Sequence, residues 1–311
     1  MAHGYYVDHC SPAAEYYLAD PVPEGSRLTA AERARILGGE AAMWSELVGP
    51  ETIDSRIWPG TAAIAERFWS AEGVRDVADM YRRLAVVSAR LTEVGARHER
   101  NHAAMLDHLV DLATPATERA ALATLVDLLE PEGYHRVQIQ FWLNQGVPLT
   151  SLADAARPDS RPSREWMESA TLYLFAGDGF DSSRAQALES QLKKWREAAQ
   201  IVLAMAARRE YPALREAEVP AQGVVAATGI AEQAIEALER QQPLGRAWRT
   251  ESLATLDRAA ADNLSATKIP FLPAVRLLTA AAGEPAPGTA RGTPEWRARI
   301  TSIATNALPQ P

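Results

Sequence analysis

The sequence predicts a mostly helical chain in two parts, a short α/β segment over residues 1–95 and an all-α region over residues 96–311. Three observations carry this. Residues 4–10, GYYVDHC, and 36–44, ILGGEAAMW, are short aromatic or β-branched runs beside turn residues, as buried strands are. The stretch between them, residues 11–35, is long enough for the crossover that a parallel pair requires. Past residue 95, apolar residues recur at helical spacing in run after run, and only VQIQFWL at 137–143 alternates in the manner of a strand.

Each element has its own signal. Pro12, Pro21 and Pro23 break the crossover before Thr29, whose spacing to Glu32 is that of a capping box opening a short helix. Pro59 follows Trp58 where a first helical turn tolerates proline, and TAAIAERFWS then places Ile64, Ala65 and Phe68 at helical spacing. A further helix is expected over about 76–94. Helical runs follow near 98–113, 116–129, 163–176, 183–208, 228–241, 249–262 and 271–282. Proline- and glycine-rich joints at 146–162 and 283–292 separate them, the second expected to be flexible. GDGFDSS at 177–183 has neither the spacing of a phosphate cradle nor that of an EF-hand, and reads as a turn with an N-cap. No fixed-period repeat indicates a solenoid.

Composition narrows the function. The chain has 311 residues, 47% of them hydrophobic, which suits a packed core and excludes disorder, collagen and a small disulfide scaffold. Lysine plus arginine total 32 against 40 acids, a formal charge of -8, so nucleic acid is not an expected partner. Only Lys193, Lys194 and Lys268 are lysines. A single cysteine, Cys10, rules out an intramolecular disulfide and a cysteine-rich metal site, and reads as a small hydrophobe or inert thiol. The start lacks the charged and apolar regions of a signal peptide, and no window suits a membrane span. As written, the chain is expected to be cytoplasmic and without a membrane partner.

The segment ILGGEAAMWSELVGPETIDSRIWPGTAAIAERFWS, residues 36–70, resembles the end of the catalytic barrel of glycoside hydrolase family 20, the β-N-acetylhexosaminidases. The likeness lies in the GGEA-x-x-W-x-E strand, the R-x-W-P turn at Arg56–Pro59 and the A-x-A-E-R-x-W-S helix ending at Ser70. Upstream, Tyr5-Tyr6-Val7-Asp8 is similar to the family's aromatic-Tyr-x-Asp strand end, with Tyr5 where a tryptophan is usual, and DVADMYRRLAVVSARLTEVG fits its last barrel helix. The resemblance covers residues 1 to about 95. It implies a partial (β/α)8 TIM barrel, its last two strands and flanking helices, followed by a helical extension of the kind some bacterial members carry. It also implies hydrolysis of terminal β-linked N-acetylglucosamine or N-acetylgalactosamine, without metal or organic cofactor, in relatives that are often periplasmic or secreted.

Strand periodicity points to the same side chains. Positions i and i+2 share a face, so Tyr6 and Asp8 are expected to point together, as are Glu40, Ala42, Trp44 and Glu46. An aromatic beside a carboxylate holds a pyranose by stacking on its C–H face while the carboxylate accepts from hydroxyls, which Trp44 and Glu46 fit. By resemblance, Tyr6 donates to the substrate's acetamido carbonyl, Trp44 walls the sugar pocket, and Asp8 and Glu46 accept from hydroxyls at the C4 and C6 side. In the family's substrate-assisted mechanism a glutamic acid protonates the leaving oxygen, and the acetamido group, oriented by an aspartate, attacks the anomeric carbon. Those two carboxylates form an adjacent Asp-Glu pair on an earlier strand, and this chain contains no Asp-Glu dipeptide. A complete barrel takes roughly 250 residues, so the expectation is a C-terminal piece of a longer hexosaminidase, inactive alone, whose partners are an N-acetylhexosamine-containing glycan and a missing N-terminal barrel portion. Glu40 is expected to play a structural part, capping a barrel layer or binding Arg56 or Arg67; Trp58, Phe68 and Trp69 are expected in the core.

Two rival readings come from other classes. One is a non-catalytic helical interaction module with a barrel remnant. The other is a zinc-dependent hydrolase: His98-Glu99-Arg100-Asn101-His102 satisfies H-E-x-x-H, and His108 stands where a longer pattern places a third ligand. That pattern needs a glycine where this chain has Met105, and an unbroken helix sets His108 about 120° around from His102 and roughly 9 Å along the axis. The expectation is therefore a solvated, basic helix start and no metal.

Overall fold

A computed structural model describes residues 6–22, 25–45, 48–132, 150–176, 181–209, 211–261, 266–283 and 293–306, without the side chains of Asp8, Pro212, Ala213 and Asn306. Glu46, the 137–143 run and the 284–292 part of the second joint lie outside the described residues. The chain divides into two compact units, residues 1–108 with 131–159 and residues 109–130 with 160–311. This division differs from the boundary at 95/96 read from composition. The physical reason is that residues 150–159 return to the N-terminal unit and pack on the helix that begins at His98.

In the first unit the expected parallel strand pair is, among the described residues, one bridge, Tyr6 with Ala42, in which Val7 N–H donates to the Ala42 carbonyl at 3.0 Å. The chain leaves the extended conformation at once. Residues Val7–His9 form a 3-10 turn that Cys10, at φ 52°, closes by donating its N–H to the Val7 carbonyl. Helices follow as α1 (Ala13–Leu18), α2 (Ala30–Arg33), α3 (Ile53–Ile57), α4 (Gly60–Trp69), α5 (Val77–Glu93), α6 (His98–Leu109) and, after the undescribed stretch, α8 (Leu152–Ala155). Both bonds of the Thr29–Glu32 capping box form at α2. At α8 Ser151 and Asp154 form another that the joint-like composition concealed.

The core of this unit is helical. Tyr17 on α1, Ala63 on α4 and Met80 and Leu84 on α5 bury together with Ala13. Tyr17 is fully buried, and its phenol donates to Glu66 Oε1 at 2.9 Å, which Arg83 also holds through its guanidinium. Arg83 is the first cause holding the Glu66 carboxyl below its ordinary value, which keeps the acceptor charged for the buried phenol. Phe68 and Trp58 are half-buried, but Trp69 is 93% exposed, against expectation. The buried face of α4 carries Ala63, Ile64 and Arg67; five residues past Ile64 the helix has turned about 140° away.

The second unit is a mainly helical assembly of α7 (Ala116–Leu128), α9 (Arg161–Phe175), α10 (Ser182–Arg208), α11 (Glu218–Glu239), α12 (Gly245–Ala261), α13 (Leu272–Gly283) and α14 (Pro294–Asn306). Asp181 caps α10 as its composition predicts, accepting from Ser183 and Arg184 N–H. Helix α11 begins ten residues before the expected run, with Pro220 in its first turn, where the ring displaces no intrahelical hydrogen bond. The centre is aromatic: Trp195 on α10 meets Phe271 at 5.0 Å and Trp166 on α9 at 5.9 Å between ring centroids. A two-stranded sheet joins β1 (Glu130–Pro131) to β2 (Thr267–Lys268), where Lys268 Nζ lies 3.2 Å from the buried Glu130 carboxylate. Among the described residues no helix is long and apolar enough to cross a membrane.

Candidate functional site

The bridge between Tyr6 and Ala42 brings two of the expected site segments side by side, with Trp44 two residues beyond Ala42. Tyr6 is half-buried, and Trp44 is 61% exposed. Asp8 lies in the 3-10 turn with its side chain outside the description, and Glu46 is undescribed altogether. Strand alternation therefore does not govern residues 7–9. In a 3-10 turn positions i and i+3 eclipse, and it is the His9 ring that stacks on Tyr6, at 5.4 Å and 16° between planes. His9 was missed from sequence because a period of two was assumed where the period is three.

The turn is fixed from beneath. Tyr16 is 4% exposed; its hydroxyl donates to the Tyr6 carbonyl at 3.0 Å and accepts from Ser11 N–H at 3.2 Å. Burial, above all, pushes the Tyr16 phenol well above its ordinary value, so it stays a neutral donor. Val7, Tyr16 and Ile64 form one buried cluster, with Met43, Phe68 and Ala19 packed on it.

Glu40 is exposed, and neither arginine expected to bind it does so. Arg56, 6% exposed, donates to the carbonyls of Ala153 and Ala156, each at 3.0 Å, and Arg67 to that of Val74 at 2.9 Å. The first of these binds the R-x-W-P turn to the C-terminal end of α8, where backbone carbonyls lack helical partners. Its signal in the sequence is one arginine a hundred residues from its acceptors, and no local pattern reveals such a contact.

The H-E-x-x-H string is placed differently from the solvated start expected of it. His98 is 1% exposed and His102 8%. The α8 segment covers them: His102 Nδ1 lies 2.7 Å from the Ala155 carbonyl, and Arg157 pairs with Glu99 at 2.8 Å. His98 Nε2 lies 2.7 Å from Ser88 Oγ on α5, while its Nδ1 has no hydrogen-bond partner among the described residues. Among the described residues no three His, Cys, Asp or Glu side chains gather to hold a metal.

Burial lowers the His98 pKa from its ordinary 6.5, with Arg157 acting in the same direction and Glu99 and Asp54 opposing. The unfolded chain therefore binds the proton more readily. Stability from neutral His98 is complete above pH 6.5 and is lost as pH falls from there toward the folded-state value. The fall is limited to about 1.4 kcal/mol per pH unit for one proton. Chemical unfolding measured from pH 7.5 to 5 should show a shallower dependence in His98→Gln than in the parent chain. Equal slopes would contradict the assignment.

Comparison with known proteins agrees with the motifs at the Tyr6–Ala42 bridge. Residues 1–72 match the profile described as "Glycosyl hydrolase family 20, catalytic domain". Over these residues the chain is similar to that family's catalytic domain. The segment is 43% identical over 68 residues to a pig β-hexosaminidase subunit beta, Sus scrofa, covering 22% of this chain and 13% of that protein. It is 46% identical over 67 residues to the chitooligosaccharidolytic β-N-acetylglucosaminidase of Bombyx mori, covering 22% and 11%. A solved structure, the chitobiase of Flavobacterium johnsoniae, is similar over 89% of this chain and 40% of its own, at 30% identity and a TM-score of 0.76. The chain thus spans well under two thirds of each of these proteins. The match to the chitobiase extends past residues 1–72 into the helical region.

Proposed function

We propose that this chain contributes the closing part of a family 20 catalytic barrel, with its last two strand segments, and that the assembled domain hydrolyses terminal non-reducing β-linked N-acetylhexosamine with retention. The observation that carries the reading is the parallel Tyr6–Ala42 bridge inside the matched residues, which sets the Tyr6 turn beside the segment bearing Trp44. In this role the Tyr6 phenol donates to the acetamido carbonyl. Trp44 stacks against the sugar ring, and Asp8 and Glu46 accept from hydroxyls at the C4 and C6 side. The substrate's own acetamido oxygen is the nucleophile, so the chemistry needs neither metal nor organic cofactor. The acid that protonates the leaving oxygen and the aspartate that orients the acetamido group belong to an Asp-Glu pair absent from these 311 residues. Their source is the rest of the barrel, the partner of this chain whether in one polypeptide or two.

The binding half of the proposal is testable on the chain itself. Titration with N-acetylglucosamine, followed by NMR of the tryptophan indoles and tyrosine rings, should shift Trp44 and Tyr6 saturably. Glucose, lacking the acetamido group, should bind more weakly. Trp44→Ala should weaken N-acetylglucosamine binding about tenfold, as loss of roughly 1.4 kcal/mol of stacking implies. Saturable shifts confined to residues outside 6–46, or none, would contradict the reading.

A further inference from the structure

We infer that Tyr16 is the positioning residue of this sugar site, holding Tyr6 in place and coupling it to the segment that carries Trp44; the inference rests on the proposed function for its sugar arm alone.

The turn from Tyr6 to Ser11 is short, and backbone bonds inside it reach only as far as Cys10: His9 N–H donates to Tyr6 C=O at 3.2 Å and Cys10 N–H to Val7 C=O at 3.2 Å. Tyr16 spans its ends. One hydroxyl uses its proton on the Tyr6 carbonyl and a lone pair on Ser11 N–H, so entry and exit of the turn are tied to a single buried oxygen. That oxygen cannot drift, because the ring below it packs with Val7 and Ile64, and α4 covers it: a Cβ at Gly60 would stand 3.9 Å from the ring. Met43 packs on the same cluster between Ala42 and Trp44. The two segments of the site thus share one support, and Val7 links them again through its N–H to Ala42.

A hydroxyl that only stabilised the fold would serve any part of the unit equally. This one acts on the carbonyl of Tyr6 itself, and the orientation of the Tyr6 ring, stacked on His9, follows from the backbone that carries it. A donor displaced by a fraction of an ångström from a bound carbonyl loses most of its specificity, since hydrogen bonds weaken steeply with angle.

Tyr16→Phe tests this, since it keeps the ring and removes both bonds. The full chain carrying it should show amide exchange at Ser11 faster by tenfold or more, and the Tyr6 ring resonances should leave their His9-stacked positions. N-acetylglucosamine affinity should fall about tenfold. Tyr6→Phe with Tyr16→Phe should bind no more weakly than Tyr6→Phe alone, because Tyr16 acts through Tyr6. Leu84→Val provides the structural control: it loosens the separate cluster of Ala13, Tyr17, Ala63 and Met80 and lowers the melting temperature, yet should leave Tyr6 resonances and Ser11 exchange unchanged. Unchanged Tyr6 resonances and Ser11 exchange in Tyr16→Phe would overturn the inference, as would strictly additive losses in the double variant. If the parent chain binds no N-acetylglucosamine, the sugar reading falls, and the resonance and exchange results still decide whether Tyr16 positions Tyr6.

Discussion

Replacing Trp195 by alanine should destabilise the helical unit by about 3–5 kcal/mol, the usual cost of removing a buried tryptophan from a packed core. Trp195 is 1% exposed and touches both Trp166 and Phe271, so its ring joins α9, α10 and the start of α13 at one point. No small side chain can replace those contacts. Trp166 also donates its indole N–H to the Leu188 carbonyl on α10 at 3.4 Å, which restrains the helices from closing the space. A cavity should therefore remain, and for a unit of this size the melting midpoint should fall by roughly 10 °C. Trp69→Ala is the natural contrast. Its ring is 93% exposed, and surface substitutions of that kind change stability by about 0.5 kcal/mol or less. Calorimetry on both variants checks the pair of values. A loss under 1 kcal/mol for Trp195→Ala would show that the aromatic cluster is not the centre of the unit.

What the sequence disclosed follows the range of the interactions involved. Helices α5, α7, α9, α10, α12 and α13 lie within a few residues of their expected runs, because amphipathic periodicity and capping are local signals. Helices α1, α3 and α8 span four to six residues, too few for a period to show. The burial of His98 and His102 was invisible for a different reason. It depends on residues 155–157 folding back across some fifty positions of chain, and nothing in the helix's own pattern records that. Arg56 belongs to the same class.

At the site, motif identity was legible and geometry was only half so. The residues that carry the family resemblance bring the Tyr6 and Trp44 segments together through the expected parallel pairing. Among the described residues the pairing is a single bridge, however, and in the 3-10 turn at Val7–His9 the His9 ring stacks on that of Tyr6. Tyr16 carried no motif of its own. Its importance comes from a hydroxyl that reaches back ten residues to a backbone carbonyl, a contact that only the folded chain reveals.

Catalysis should depend on the rest of the barrel far more steeply than any single substitution here affects stability. Removing the groups that protonate the leaving oxygen and orient the nucleophile eliminates the terms that distinguish the transition state from bound substrate. The segment from Leu28 to Ala41, helix α2 included, is exposed along its whole length. The most direct measurement is turnover of an aryl N-acetyl-β-glucosaminide by the chain alone and by the chain combined with a family 20 polypeptide that supplies the earlier strands and their Asp-Glu pair. The account predicts no turnover above buffer for the chain alone, and turnover for the combination that falls tenfold or more with Trp44→Ala or Glu46→Gln. Hydrolysis by the purified chain alone that is abolished by Glu46→Ala, or activity of the combination that is indifferent to Trp44 and Glu46, would contradict it.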